Sequence, residues 1–361
     1  MSIAVAGSLG AAYSLPAAFL SLVFGPLSDR YGRRSPILLG LGVLSLTSLG
    51  ATFAPNFPLL FAFRILAGLG AAAVIPANFA SFGDYFPYAE RGRAMAWQVG
   101  VTTMAIVAGV PLGSVLAGLL SWRWMFGLLT FFFIIATLLV ILRIPKVSIS
   151  KRKTGSGLTH YKSSFRQVLR SRSAIAALLS TCLFGMFWRG WTTYNGAFYI
   201  QTFKLPTEAV APVFTLQGLA LFSASLIGGR IADRISKKTL AALSLFLCSG
   251  FIAIITNFNG LLWISILLHT IMAIPVGLRI LATNTLYTEL VPSARGTMMS
   301  MNNSAMEGGT MLGVMIGGLI IDFSGGYSFL GFAYGLMAFL AAVILYRFVV
   351  EVDDIGSSTA K

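Results

Sequence analysis

Gly25-Pro26-Leu27-Ser28-Asp29-Arg30-Tyr31-Gly32-Arg33-Arg34 is a charged stretch set between two long apolar runs, in a chain where only 10% of residues carry charge. A second version follows as Gly228-Gly229-Arg230-Ile231-Ala232-Asp233-Arg234-Ile235-Ser236-Lys237-Lys238. Asp29 and Asp233 lie 204 residues apart, and so do Arg30 and Arg234. The same offset carries Arg91-Gly92 onto Arg295-Gly296, and Ala105, Gly109 and Gly113 onto Gly309, Gly313 and Gly317. The chain therefore reads as two related halves, each with its own acid-and-arginine turn.

The 361 residues are 57% hydrophobic, with a mean hydropathy of +0.83. A soluble domain has about a quarter of its residues charged. This chain has more apolar surface than one core can hide, so its solvent is lipid. A bilayer core needs roughly 20 apolar residues per helix. Runs of that kind occupy 3–27, 36–54, 58–83, 92–120, 124–143, 174–202, 209–229, 239–257, 261–287, 296–321 and 327–349. The first has no basic residues before it and no small-residue cleavage site after it, so it reads as a span and not a signal peptide.

The net charge of +15 admits two explanations, nucleic acid or the basic cytoplasmic loops of a membrane protein. Position decides. With the Asp29 turn in the cytoplasm, 21 of the 26 Lys and Arg fall in cytoplasmic segments, while the external loops hold only Arg123 and Lys204. That bias sets the topology and accounts for the charge without nucleic acid. Segment 144–172 is basic throughout and reads as a cytoplasmic linker lying against anionic lipid. The expected organisation is a helix bundle over 1–143, the linker over 144–172, a second bundle over 173–350, and a cytoplasmic tail over 351–361. Five spans precede the linker and six follow it. The repeat places the counterpart of span 174–202 before Met1, so the first helix is expected to be missing from this form of the chain.

Duplicated halves joined by a cytoplasmic linker are the plan of a known class of secondary transporter. On its motifs the chain resembles the major facilitator superfamily, and within it the drug/proton antiporters. Gly25 to Arg34 resembles the family signature between helices 2 and 3. Arg64-Ile65-Leu66-Ala67-Gly68-Leu69-Gly70 resembles the helix 4 signature. Gly109-Val110-Pro111-Leu112-Gly113 with Trp122-Arg123-Trp124 resembles the helix 5 signature. Val110 and Ser114 stand where glycine is usual, a form closer to the sugar-efflux-like and amphenicol-exporter-like branches. The resemblance implies an all-α integral membrane fold of two bundles related by a pseudo-twofold. Family helices 2–6 would then precede the linker, with helices 7–12 after it. It implies a monomer in the plasma membrane that exports a small organic solute or drug by alternating access, with protons as coupling ion and no cofactor. An importer or facilitator on the same fold is the alternative, and a non-transporting receptor or scaffold the alternative of another class. Gly25, Asp29, Arg30, Gly32, Arg33 and Arg34, with Asp233 and Arg234, would latch the outward-open state. Plain anchoring of the inner face is the other reading.

Charged groups inside a bilayer are costly and are functional suspects by default. Arg64, Arg189, Arg279 and Glu307 qualify, with His269 beside the repeat partner of Arg64. Glu307, near mid-span, is either a proton-coupling or solute-contacting group, or the partner of Arg189 or Arg279. Trp188, Trp191, Tyr194 and Asn195 surround Arg189 on the first span of the second half. With Asn302 and Asn303 they are the candidates for lining a solute cavity, through stacking and cation–π contact. Ala105, Gly109, Gly113 and Ala117, and in the second half Ala305, Gly309, Gly313 and Gly317, recur at four-residue spacing, with Pro111 set among the first group. Such small faces let helices approach closely, and their recurrence suggests symmetric interfaces that rock. Asp84 and Glu289 precede Arg91 and Arg295 and read as charge partners at a cytoplasmic gate. Cys182 and Cys248 sit in apolar runs as packing residues. The two histidines, His160 and His269, join no nucleophile–base pair, metal set or phosphate loop, which disfavours an enzyme.

Overall fold

A helix rises 1.5 Å per residue, so a run of twenty apolar residues crosses a hydrocarbon layer while satisfying its own backbone. The computed structural model describes residues 3–85, 90, 97–98, 101–102, 104–144, 157–232, 235–258 and 260–351. Among them there are helices and turns and no strands. The helices are α1 (Ile3–Tyr31), α2 (Arg34–Thr52), α3 (Phe57–Tyr85), α4 (Val110–Leu119, entered through a π-helical turn, Ala105–Gly109), α5 (Trp122–Arg143), α6 (Gly157–Arg170), α7 (Arg172–Phe203), α8 (Ala211–Ala232), α9 (Lys237–Asn257), α10 (Leu262–Leu290), α11 (Arg295–Ser324) and α12 (Ser328–Phe348). Each predicted apolar run contains one of these helices. Nine among the described residues are long and apolar enough to cross a membrane, and α4 is a shorter apolar helix.

Local chemistry sets the ends. Ser121, Ser171 and Ser236 cap α5, α7 and α9, each side-chain oxygen accepting from a backbone N–H of the first turn. Gly32 at φ +80° and Gly325 at φ +66° take the left-handed conformation that stops α1 and α11. Pro76 and Pro275 lie inside α3 and α10, as membrane helices tolerate. Large apolar side chains remain exposed on the outer surface, among them Leu142, Trp263, Phe323 and Phe329, where lipid is their solvent.

In the first half α3 packs between α1 and α2, and α2 packs on α5. In the second half α7 packs on α11 and α12, α9 on α10 and α12, and α8 on α10. The halves meet along two seams, α1 against α11 and α4 against α8 with the 3-10 turn Thr207–Val210.

Two expectations change, and the linker gains an element of its own. The stretch from Gly25 to Arg34 is not an open loop: α1 continues through Asp29 and Arg30 to Tyr31, and only Gly32 and Arg33 make the turn. The linker is not irregular throughout. Over 157–170 it forms α6, whose Val168 is fully buried and whose Gln167 donates to Ser293 at 2.7 Å, docking it near the start of α11. The paired small faces are not symmetric interfaces. A Cβ at Gly309 or Gly313 would strike the α7 backbone at Cys182 or Met186, and one at Gly317 would strike Tyr334. That face therefore packs inside the second half. On α4, Gly113 meets Met125 of α5 and Gly109 meets nothing within 4 Å. The π turn adds a residue to its turn, so four-residue spacing no longer holds one face there. Val107, inside that turn, instead meets Gly218 of α8.

Candidate functional site

The α1–α11 seam is lined by small residues that let the two backbones approach. Gly10 faces Val314, and a Cβ at Gly318 would stand 2.8 Å from Ala4. Toward the same end Tyr194 reaches from α7 to Gly7, its hydroxyl donating to the Val314 carbonyl at 2.6 Å. One helical turn further along α1 the seam becomes polar. Ser14 Oγ donates to Glu307 Oε2 at 2.7 Å, joining the two halves by a buried hydrogen bond. The other oxygen, Glu307 Oε1, lies 3.6 Å from Arg189 Nη2. The Arg189 side chain is 49% exposed and that of Glu307 7%.

Arg189 ends a second π turn, Gly185–Arg189, inside α7. Its Trp188 neighbour is partly exposed. From α3, Arg64 stacks its guanidinium over the Tyr13 ring, 4.8 Å from the centroid, and its Nε donates to the Leu9 carbonyl at 3.4 Å. Tyr13 thus lies in the field of Arg64, Arg189 and Glu307 together. Glu307 of α11 thus meets Ser14 of α1 and Arg189 of α7, and Arg64 of α3 meets Tyr13 and Leu9 on the same helix α1. Of the two partners the sequence left open for Glu307, the structure shows Arg189. Sequence reasoning missed Tyr13 and Ser14, because a tyrosine or serine on an apolar helix carries no signal until its neighbour is known.

Arg279 belongs elsewhere. It is buried inside the second half, stacked 3.7 Å from the Phe184 ring centroid, with Nη2 donating to Thr181 Oγ1 at 3.3 Å. Thr181 in turn donates to Asn302 Oδ1 at 2.9 Å, and its hydroxyl lies 2.9 Å from that of Tyr287, which donates to the Ala177 carbonyl. Asn302 is thereby a member of this internal network rather than a free cavity group.

His269 is a structural histidine, which corrects its place among the coupling candidates. It is fully buried, and Trp191 Nε1 donates to its Nε2 at 2.8 Å. An indole N–H only donates, so Nε2 must present its lone pair and the ring is neutral. Tyr199 Oη holds the other nitrogen at 3.2 Å. The same packing removes Trp191 from the cavity candidates in this conformation, since it is spent on His269 and Phe198. Asn195, also fully buried, donates to Gln217 Oε1 at 3.1 Å. Asn303 Nδ2 is buried without a partner on α11.

Glu289 is held by Lys237, whose Nζ donates to both carboxylate oxygens at 2.7 and 2.8 Å, so its partner is not Arg295. Arg34 Nη2 donates to the Ile141 carbonyl in the last turn of α5 at 2.8 Å, tying elements of one half. Gly25 lies within α1, while the side chains of Asp29, Arg30 and Asp84 and the residues Arg91, Asp233 and Arg234 lie outside the described residues.

The sequence matches the Major Facilitator Superfamily over residues 1–274 and again over 190–360. It is 27% identical over 328 residues to the uncharacterized MFS-type transporter YwfA of Bacillus subtilis (strain 168), covering 89% of this chain and 78% of that protein. It is 23% identical over 352 residues to Multidrug resistance protein 2 of the same organism, covering 94% and 86%. A solved structure of the nucleoside transporter NupG shares the fold, with a TM-score of 0.74 at 14% identity over 96% of this chain and 90% of that one. Two helix bundles meeting along two seams, a family match over the length of the sequence and MFS-type relatives agree: the chain belongs to the Major Facilitator Superfamily and is a multi-pass membrane transporter, not an enzyme.

Proposed function

We propose that this chain is a secondary active transporter that moves a small organic solute by alternating access and exchanges a proton at Glu307. The observation that carries the reading is the position of that carboxylate. It is buried in α11, hydrogen-bonded to Ser14 of the other half and paired with Arg189. A proton taken up there removes a charge from a contact between the halves, so occupancy by the proton and the relative position of the bundles are linked. The basic turn, linker and tail face the cytoplasm in this reading, the first bundle comprises 1–143 and the second 173–350. The turn from Gly25 to Arg34 with Asp233 and Arg234 acts as the latch. Trp188 and Asn303 border the path of the solute.

The test is pH-gradient-driven flux in proteoliposomes. Glu307→Gln keeps the size and the Ser14 contact but cannot titrate, and is expected to abolish the dependence on the proton gradient. Unchanged dependence removes Glu307 as the coupling group.

Two directions of transport are open to this mechanism. Efflux against the proton is supported by the name of Multidrug resistance protein 2. Uptake on the same fold is the second reading. Accumulation in everted vesicles with an acid interior marks efflux. Accumulation in right-side-out vesicles in acid medium marks uptake.

A further inference from the structure

We propose that the solute carries an anionic group, a carboxylate or a phosphate, held between Arg189 of α7 and Arg64 of α3. This rests on the transporter reading, and its acid dependence, proton and anion binding together, belongs to the uptake direction. Arg64 has five N–H donors; its Nε reaches the Leu9 carbonyl and Tyr13 covers one face. Among the described residues no carboxylate forms an ion pair with it. Arg189 has one ionic contact, at 3.6 Å, longer than the roughly 2.7–2.9 Å of a charge-assisted hydrogen bond, and half of its side chain is exposed. Two planar guanidiniums on opposite halves, each reaching α1, Arg64 at Tyr13 and Leu9 and Arg189 through Glu307 and Ser14, supply the seam with donors for an anion. An anion bridging them engages both bundles at once, as a solute that drives their closure must.

A cationic solute meets the opposite situation, two guanidiniums against a single carboxylate, and like charges brought together cost several kcal/mol. Ser300, Asn303, Ser304 and Glu307 share a face of α11 by their three- and four-residue spacing. Ser300, Asn303 and Ser304 each carry a buried polar atom without a partner, and the Asn303 atom is an N–H donor. The groups that face Glu307 are Ser14 and Tyr13 from α1, Arg189 from α7, and Arg64 of α3 through Tyr13. A proton on Glu307 therefore frees Arg189, and the anion binds more tightly in acid.

Thermal unfolding of the purified full chain, followed by tryptophan fluorescence, tests this with four probes of one shape: benzoate, phenyl phosphate, benzamide and benzylamine. Benzoate or phenyl phosphate is expected to stabilise the protein, more in acid than in alkali, and the stronger of the two names the group. Arg189→Gln and Arg64→Gln should each weaken the apparent affinity roughly tenfold or more, with Arg189→Lys restoring part of it. Stabilisation by benzylamine or benzamide instead, lost in Glu307→Gln, overturns the anionic solute and leaves the transporter reading standing. Anion stabilisation that survives both arginine substitutions, or no stabilisation by either anion, also overturns it. Unchanged proton dependence in Glu307→Gln removes Glu307 as the coupling group and leaves the anionic solute standing.

Discussion

His269 and Glu307 are both ionisable, both buried and both on membrane-spanning helices, yet their neighbours give them opposite characters. His269 receives a hydrogen bond from an indole and is closed in by aromatic rings, so it has no room for a second proton. Trp191→Phe would leave its Nε2 buried without a donor, at a cost of about 1–3 kcal/mol. The expected result is a lower melting temperature with an unchanged pH profile of transport. Glu307 has one oxygen on a hydroxyl of the other half and the other near a half-exposed guanidinium of its own half, so a rocking motion can remove the Ser14 partner. Ser14→Ala leaves the buried Glu307 Oε2 without its donor, so it is expected to shift the pH midpoint of transport and to cost about 1–3 kcal/mol of stability. A changed melting temperature with a fixed midpoint would make Ser14 a packing residue only.

The contact of α11 with α7 depends on glycine. A side chain at Gly309 or Gly313 would press on the α7 backbone, which cannot turn away as a flexible side chain can. Gly313→Ala is therefore expected to cost about 1–3 kcal/mol by overpacking. Gly308, one position from that face, has nothing within 4 Å of its Cβ direction. Gly308→Ala should be neutral or stabilise by about 0.4–1 kcal/mol, through the lost freedom of the unfolded chain. Thermal unfolding of the two variants side by side checks both signs. The π turns in α4 and α7 are a second element-scale device. Each rotates the helix that follows it, and the one in α7 ends on Arg189.

At the scale of the molecule, the halves also touch where Gly118 of α4 meets Glu208 in the turn Thr207–Val210. A Cβ at Gly118 would stand 3.1 Å from that of Glu208. Disulfides need a Cβ separation near 3.5–4.5 Å, so Gly118→Cys with Glu208→Cys should cross-link after a small adjustment. The expected outcome is loss of transport under oxidation and recovery on reduction. Transport that continues in the cross-linked protein would show that this end does not open. The membrane character and the helical fold were legible in the sequence, since hydropathy and family motifs are properties of the chain alone. The pairing of Arg189 with Glu307 was legible only as one of two choices. Which helix face meets which neighbour was not legible: a single π residue rotates everything beyond it, and the repeat cannot register that. Ser14, Tyr13 and Arg64 come from helices distant in sequence from Arg189 and Glu307. Their meeting is a matter of how two bundles lean together, and only the packed molecule decides it.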